Sequence, residues 1–378
     1  MFNRNCFKTK HLTSTKFINR KLQLLKSKGF TLIELLVSLV LGLVVLGGVL
    51  SIFSGTQQSF RVNENLARVQ ENARLSFELL SREIREAGST PCGTRAMANV
   101  IRVAGTVPWY ADWQAGTIIG FDGAQSSDAI AAFGIANLNL VSGTDAIIAL
   151  RNISDESSIR TVTKHDVAID SFEVQPKPFS SYAEADLISV CDVSSGAILQ
   201  VGTVPLPTSS LSEIEYKLGT LNCSVNLGYP TGTCATPPPG KTFTKGALIT
   251  RYDPVFWYVG FNSDGKRSLY RANVVTLKKT GIETATVVRQ EMIPSIQDMQ
   301  IEYLVRDSAA GNTLASDWIT ASNSVFEDSG KWGPDNLKQV VATRLTLTLN
   351  SEDKVGATGQ LLRREFISVS ALRSRDIP

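Results

Sequence analysis

Glu34 is the one carboxylate set within the first long apolar stretch of this chain. It closes the run Lys28-Gly29-Phe30-Thr31-Leu32-Ile33-Glu34, in which a basic segment meets an apolar one across a glycine. A lone carboxylate there costs roughly 2.5–3.5 kcal/mol on membrane-insertion scales. A buried carboxylate and a buried ammonium coexist only as a pair, so Glu34 calls for a cationic partner. The simpler alternative is that it snorkels to the headgroups, because it sits near the edge of the run.

Other residue types that carry chemistry are sparse. The histidines are His11 and His165, and His165 lies in the polar run Thr-Lys-His-Asp, which reads as solvated. There is no GxSxG, HExxH, P-loop or glycine-rich dinucleotide loop. The scattered Asp and Glu form no recognisable acid/base pair. The expectation is a non-enzymatic protein without a cofactor. Asn262-Ser263-Asp264-Gly265 places Asn262 and Asp264 as oxygen ligands at alternate positions, as a calcium loop does, but lacks the downstream bidentate Glu of an EF-hand. Flanked by two aromatic-rich runs, it reads first as a hairpin turn.

The elements that position these residues begin with Leu35–Phe53, a run of nineteen residues without charge, and no charge follows until Arg61. That is long enough to span a bilayer as a helix. Residues 1–33 hold eight Lys or Arg and no Asp or Glu, which keeps the N-terminus cytoplasmic by the positive-inside rule. The net charge of +3 is therefore uneven: without residues 1–29 the chain carries 30 basic and 35 acidic residues, a net of −5. That balance argues against nucleic acid as a direct ligand.

In residues 61–88, Leu66, Val69, Ala73, Phe77, Leu80 and Ile84 lie on one helical face. The remaining faces carry five Arg and five Glu, with i,i+4 pairs such as Glu64–Arg68 and Arg82–Glu86 suited to solvent. No proline interrupts residues 30–90, and Gly88 followed by Pro91 forms a stop. One helix is expected from about Thr31 to Ala87, membrane-embedded over about 33–54 and amphipathic beyond.

From Thr90 the pattern turns to short β runs. Candidate strands are Thr117–Phe121, Ala146–Arg151, Ser171–Gln175, Leu187–Cys191, Ala247–Tyr252, Phe256–Phe261, Ser268–Val275, Met299–Arg306, Thr343–Asn350 and Glu365–Ala371. The fold class is α+β, a long helix packed on a mostly antiparallel β head. Residues 204–246, rich in Pro, Gly, Thr and Ser, read as a surface excursion. Cys92, Cys191, Cys223 and Cys234 follow the junction, and Cys6 precedes it. None is in a CxxC pair, and an even set in an exported domain reads as two disulfides. Four cysteines allow three connectivities. The short Cys223–Cys234 spacing favours a local bond, which leaves Cys92 for Cys191.

The run KGFTLIELLVSLVLG resembles the type IV prepilin N-terminal motif almost residue for residue. The resemblance implies a leader of residues 1–29, cut by a prepilin peptidase after Gly29, with Phe30 as the N-methylated mature N-terminus. It also implies that Glu34 compensates the N-terminal amine of a neighbouring subunit. A leader of this length departs from the short ones common in that family. RVQENARLSFELLSREIREAG, WYVGFNSDGKRSLYR, IPSIQDMQIEYLV and REFISVSALRSRD together resemble the PilW-like minor pilins of type IV pili. That resemblance implies a single-pass inner-membrane protein with a periplasmic head in residues 89–378, later carried into the pilus. Its partners would be the other minor pilins, the major pilin, the inner-membrane assembly platform and membrane lipid. A J-type pseudopilin of type II secretion shares the leader, stalk and β-rich head. A tip adhesin would use the 204–246 segment.

Overall fold

The computed structural model describes residues 29–372 apart from 95, 124–138, 154–158, 176–181, 203–211, 220, 280–281, 308–310, 327–331, 333–337 and 356–358. The leader therefore lies outside the described residues, save Gly29. The chain divides into two compact units, Met1–Gln57 and Gln58–Pro378.

A single helix, α1 (Leu32–Glu86), runs through both units. Its N-terminus is a capping box. The Thr31 N–H and Oγ1 each donate to Glu34 Oε2 at 3.1 Å, and the Glu34 N–H donates back to Thr31 Oγ1 at 3.3 Å. Every residue from Leu32 to Arg61 is exposed, and the first unit's helix is long and apolar enough to cross a membrane. From Asn65 onward a buried stripe appears: Val69, Ala73, Leu80 and Ile84 lie in the core, with Phe77 packed beside them. The helix stops at Gly88, whose φ of +71° suits the left-handed residue that ends a helix and whose N–H donates to Leu150 O at 2.8 Å.

The head holds three sheets. The first has the order β14 (Thr313–Leu314), β13 (Ile296–Asp307), β16 (Lys338–Val355), β17 (Gln360–Ala371), with β15 (Ile319–Thr320) also on β13. The second runs β12 (Ile282–Pro294), β11 (Arg267–Lys279), β10 (Val255–Phe261), β3 (Ala146–Ala149), β2 (Ile118–Phe121). The third runs β1 (Met97–Asn99), β7 (Gly196–Gln200), β6 (Leu187–Cys191), β9 (Leu248–Arg251), β4 (Arg160–Asp166), β5 (Ser171–Gln175), β8 (Ser212–Glu215). The one parallel contact among these named strands is β1 with β7.

Period-two alternation distributes the sheets over three cores. Trp257 and Val259 of β10 join the helix stripe and Leu345, Leu347 and Leu349 of β16 in one cluster. Phe256 and Tyr258, on the other face of β10, join a second cluster with Leu187 and Ile198. Ile188, Val190, Ala197 and Leu199 face a third. β10 is thus buried on both sides, which explains its unbroken apolar reading.

Each of the ten expected strands falls on an observed one, Ser171–Gln175 and Leu187–Cys191 with the same bounds and the others with shifted ends; the observed helix is shorter than expected by a residue at each end. β1, β4, β7, β8, β12, β14 and β15 were not anticipated. The segment 204–246 is only partly a surface excursion. Ser212–Glu215 is a strand, and Ile214, Tyr216, Leu227 and Phe243 are core residues. His165 is not solvated: it is buried, stacked on Phe172, and its Nδ1 accepts the Phe243 N–H at 2.9 Å. Nε2 therefore bears the proton and meets Tyr216 Oη at 2.6 Å. The polar sequence around it hid this, because in β4 its neighbours Lys164 and Asp166 turn the opposite way.

Both disulfides are present, Cys92–Cys191 and Cys223–Cys234, with sequence separations of 99 and 11. By loop-closure entropy the first should contribute roughly 4–5 kcal/mol and the second about 3. Replacing Cys92 and Cys191 with serine should accordingly lower the melting temperature more than replacing Cys223 and Cys234. Equal losses in thermal unfolding would contradict the ordering.

Burial pushes the His165 pKa down to about 4 from 6.5. The fold therefore favours the neutral ring. Its contribution is complete above about pH 6.5 and is lost as pH falls toward 4, by about 3 kcal/mol in full. Asp145, whose carboxyl burial raises to about 6, acts in the opposite sense. The difference in melting temperature between wild type and His165→Phe should narrow from pH 7 to pH 4.5; a constant difference refutes this role.

Candidate functional site

Three places could carry function: the start of α1, the junction where α1 meets the head, and the loops of the head.

At the start of α1, Phe30 is 84 % exposed and Gly29 stands just before the helix. Glu34 occupies the third position after its capping threonine. One carboxylate oxygen, Oε2, is held by Thr31. No bond to Oε1 is seen among the described residues. A carboxylate in the first turn is also favoured by the helix dipole, so part of the cost of Glu34 is met within its own chain. The arrangement sets one carboxylate at a fixed place on an otherwise apolar, exposed stretch of helix.

The junction holds a cluster that the sequence did not announce. Glu83 is 8 % exposed. Its Oε2 accepts the Trp257 indole N–H at 2.6 Å, and its Oε1 accepts Arg151 Nη2 and Arg271 Nε, each at 3.0 Å. Arg151 Nη1 also donates to Glu86 Oε2 at 2.5 Å, and Arg271 Nη2 donates to Asp253 Oδ2 at 2.9 Å. Arg151 Nη2 pairs with Asp253 as well. Trp257 and Arg271 are opposite residues of the β10–β11 ladder, so one rung aims both donors at the helix. Arg151 follows β3 and forms a backbone bridge with Ala87. Burial works against the Arg151 charge, yet Asp253, Glu83 and Glu86 outweigh it and hold its pKa above the ordinary value. The helical spacing puts Glu83 and Glu86 on the solvated faces of the helix, whereas the structure buries Glu83 and half-buries Glu86. Ser76 and Glu83 are both buried, two turns apart and flanking the apolar stripe. The exposed pair Glu64–Arg68, at 2.9 Å, is where the sequence placed it.

In the head, Asn262 Oδ1 accepts the N–H groups of Asp264 and Lys266 at 3.1 and 2.9 Å, and Phe261 pairs with Arg267 across the turn. This is the bonding of a hairpin turn residue. Lys241 Nζ reaches Asp192, Ser194 and Ser195 at 2.9, 2.6 and 2.8 Å, pinning the segment before β9 to the β6–β7 turn. Hydrogen bonds to the Asp192 carboxylate from the Ser194 hydroxyl, Lys241 and the N–H groups of Ser195 and Ser194 lower its pKa to about 2, against the opposing effect of burial.

A family model described as Type IV Pilus-assembly protein W matches residues 256–367. A second, the prokaryotic N-terminal methylation motif, matches residues 24–50. The first covers the chain from β10 into β17, and the second covers the junction with Gly29, Phe30 and Glu34. No curated protein and no solved structure matches the chain.

Replacing Glu83 with alanine leaves two buried guanidinium groups short of a partner and should destabilise the head by about 3–5 kcal/mol. Arg68→Ala, at an exposed pair, should cost under about 1 kcal/mol. Denaturant unfolding of the two variants checks the contrast, and comparable losses would show that the cluster does not hold the junction.

Proposed function

We propose that this chain, a PilW-like pilin, is a minor subunit of a type IV pilus that helps to initiate filament assembly at or near the tip. In this reading a prepilin peptidase cuts between Gly29 and Phe30, and the new N-terminus is methylated. α1 first anchors the chain in the inner membrane, with the head in the periplasm, and then transfers to the filament beside the helices of other pilins.

The observation that carries the reading is the exposed apolar half of α1 with its one carboxylate. Those side chains are exposed among the described residues, and lipid or the helices of other pilins would cover them. Glu34 then needs a cation in an apolar surrounding, and the terminal amine of a neighbouring subunit is of the right charge. Oε1, which accepts no bond among the described residues, would accept it.

A J-type pseudopilin of type II secretion would share this stalk, but the matched description over the head strands is of pilus assembly. The adhesin reading loses its simple form, since the 204–246 segment supplies core residues and is not a detachable loop. Pilin domains are structural, which agrees with the absence of catalytic motifs from the sequence.

A deletion strain should lose surface pili, with recovery by the wild-type chain and not by Glu34→Ala. Normal piliation and motility in the deletion would remove the initiating role. Mass spectrometry of the mature protein should begin at N-methylated Phe30, and any other N-terminus contradicts the processing.

A further inference from the structure

The end of the β2–β3 ladder sets two carboxylates face to face. Phe121 pairs with Ala146, so the next positions, Asp122 and Asp145, stand opposite each other. Like charges directly opposite destabilise a sheet. Asp145 is 3 % exposed, and Asp122 is half-buried. Asp145 Oδ1 accepts the Gly123 N–H at 2.8 Å, and Oδ2 accepts the Ile301 N–H of β13 at 2.7 Å. The Asp145 N–H donates in turn to Met299 O at 2.8 Å. Asp145 thereby hooks the second sheet to the first.

A third oxygen comes to the same face. Side chains alternate along a strand, so Gly120 shares the face of Asp122, two residues on. The Tyr303 hydroxyl rests on Gly120, where a Cβ would collide with Oη. Tyr303 is fully buried, and its hydroxyl has no hydrogen-bond partner among the described residues. Buried hydroxyls are seldom left so. Burial first, then the charges of Asp145 and Asp122, holds its pKa well above the ordinary value. The partnerless oxygen and the paired carboxylates thus belong to one place.

The charged groups that face Asp145 are Asp122 and Asp298, both acidic. A proton is the poorer means of offsetting them. Two N–H donors favour the ionised carboxylate. Burial outweighs them and raises the Asp145 pKa to about 6, with Asp122 and Asp298 adding to the rise. A group of that pKa is still mostly ionised at pH 7. A cation offsets both charges and also takes a lone pair from Tyr303. Among the described residues no three Asp, Glu, His or Cys side chains converge as metal ligands. The set is instead two carboxylates, which balance a double charge, completed by neutral oxygens. Oxygen ligands alone select a hard cation. Burial favours calcium over magnesium, which gives up its water reluctantly and demands near-ideal octahedral geometry.

The geometry points to a calcium site at the end of β2 and β3, with Asp122 and Asp145 as its charged ligands and the Tyr303 hydroxyl as a neutral one. It is distinct from the Asn262–Asp264 turn, where Asn262 Oδ1 is engaged by N–H groups of the turn itself. Calcium here ties β2 and β3 to β13. Ile118, Ile147, Ile301 and Tyr303 of these strands share the core that receives the helix stripe, so the ion braces that core.

Calcium binding and thermal unfolding of the full-length chain in detergent test this, after stripping with chelator and addition of calcium or magnesium alone. One calcium per chain is expected. At about a hundred times its dissociation constant, calcium should raise the melting temperature by about 4 °C; magnesium at the same concentration should not. Tyr303→Phe removes a hydroxyl without a partner, so in chelator it should melt with the wild type, while its calcium affinity falls about tenfold. A merely structural hydroxyl would lower the first and leave the second. Asp122→Asn should abolish the calcium shift, and Asp264→Asn should keep it. No bound calcium, an equal response to magnesium, or unchanged affinity in Tyr303→Phe and Asp122→Asn overturns the site. So does a melting temperature that rises from pH 7.5 to pH 6 with no effect of calcium, which would assign the offsetting charge to a shared proton.

Discussion

The Glu83 carboxylate accepts from an indole and two guanidinium groups that belong to three different stretches of the head. Apolar contact is non-directional, so the stripe of Val69, Ala73, Leu80 and Ile84 could be buried in several rotations of the helix with similar gain. A buried carboxylate cannot be satisfied in several ways. It must meet Trp257, Arg151 and Arg271 together, which fixes both the rotation of α1 and its position along the sheet. The backbone bridge from Ala87 to Arg151 and the bond from Gly88 to Leu150 fix the same end through main-chain groups. Desolvating these charges is expensive, and the return is a single defined joint.

That joint divides one helix into two kinds of surface. Before it, leucine and valine face outward all round, and the sole polar relief in the first turn is the box made by Thr31 and Glu34. Near it, the same helix buries polar groups deliberately: Asn65, Ser76 and Glu83. The polarity of each half is thus inverted relative to a soluble helix. Such an inversion suits a molecule whose N-terminal half is to be covered by lipid or other helices, while its C-terminal half is locked to its own head.

The matched region and the covalently stapled region of the head do not coincide. Residues 256–367 run from β10 into β17, the strands nearest the helix core, and none of Cys92, Cys191, Cys223 and Cys234 lies among them. There, packing and the ionic cluster hold the structure. The seven-stranded sheet lies farther along the chain of cores, and its strands are short, mostly of three to five residues. Short strands bury little each, and both disulfides act in that part of the head, with the Lys241 anchor and the His165–Tyr216 pair beside them.

The sequence by itself determined the features that rest on local pattern. The nineteen-residue apolar run, Gly29, Phe30 and Glu34, the helical stripe, the period-two strand Arg344–Leu349 and the two-disulfide count all depend on neighbours within a few residues. Tertiary structure decided what depends on residues far apart. β1 and β7 pair across about a hundred residues, and a three-residue strand has no pattern of its own to read. His165 is buried because Phe243 and Tyr216 come to it from other segments. Glu83 looks solvated in a helix of alternating charges, and becomes the keystone of the joint because Arg151, Trp257 and Arg271 stand 68, 174 and 188 residues away. A charge reveals its burial only through its partners, and here those partners are brought together by the fold.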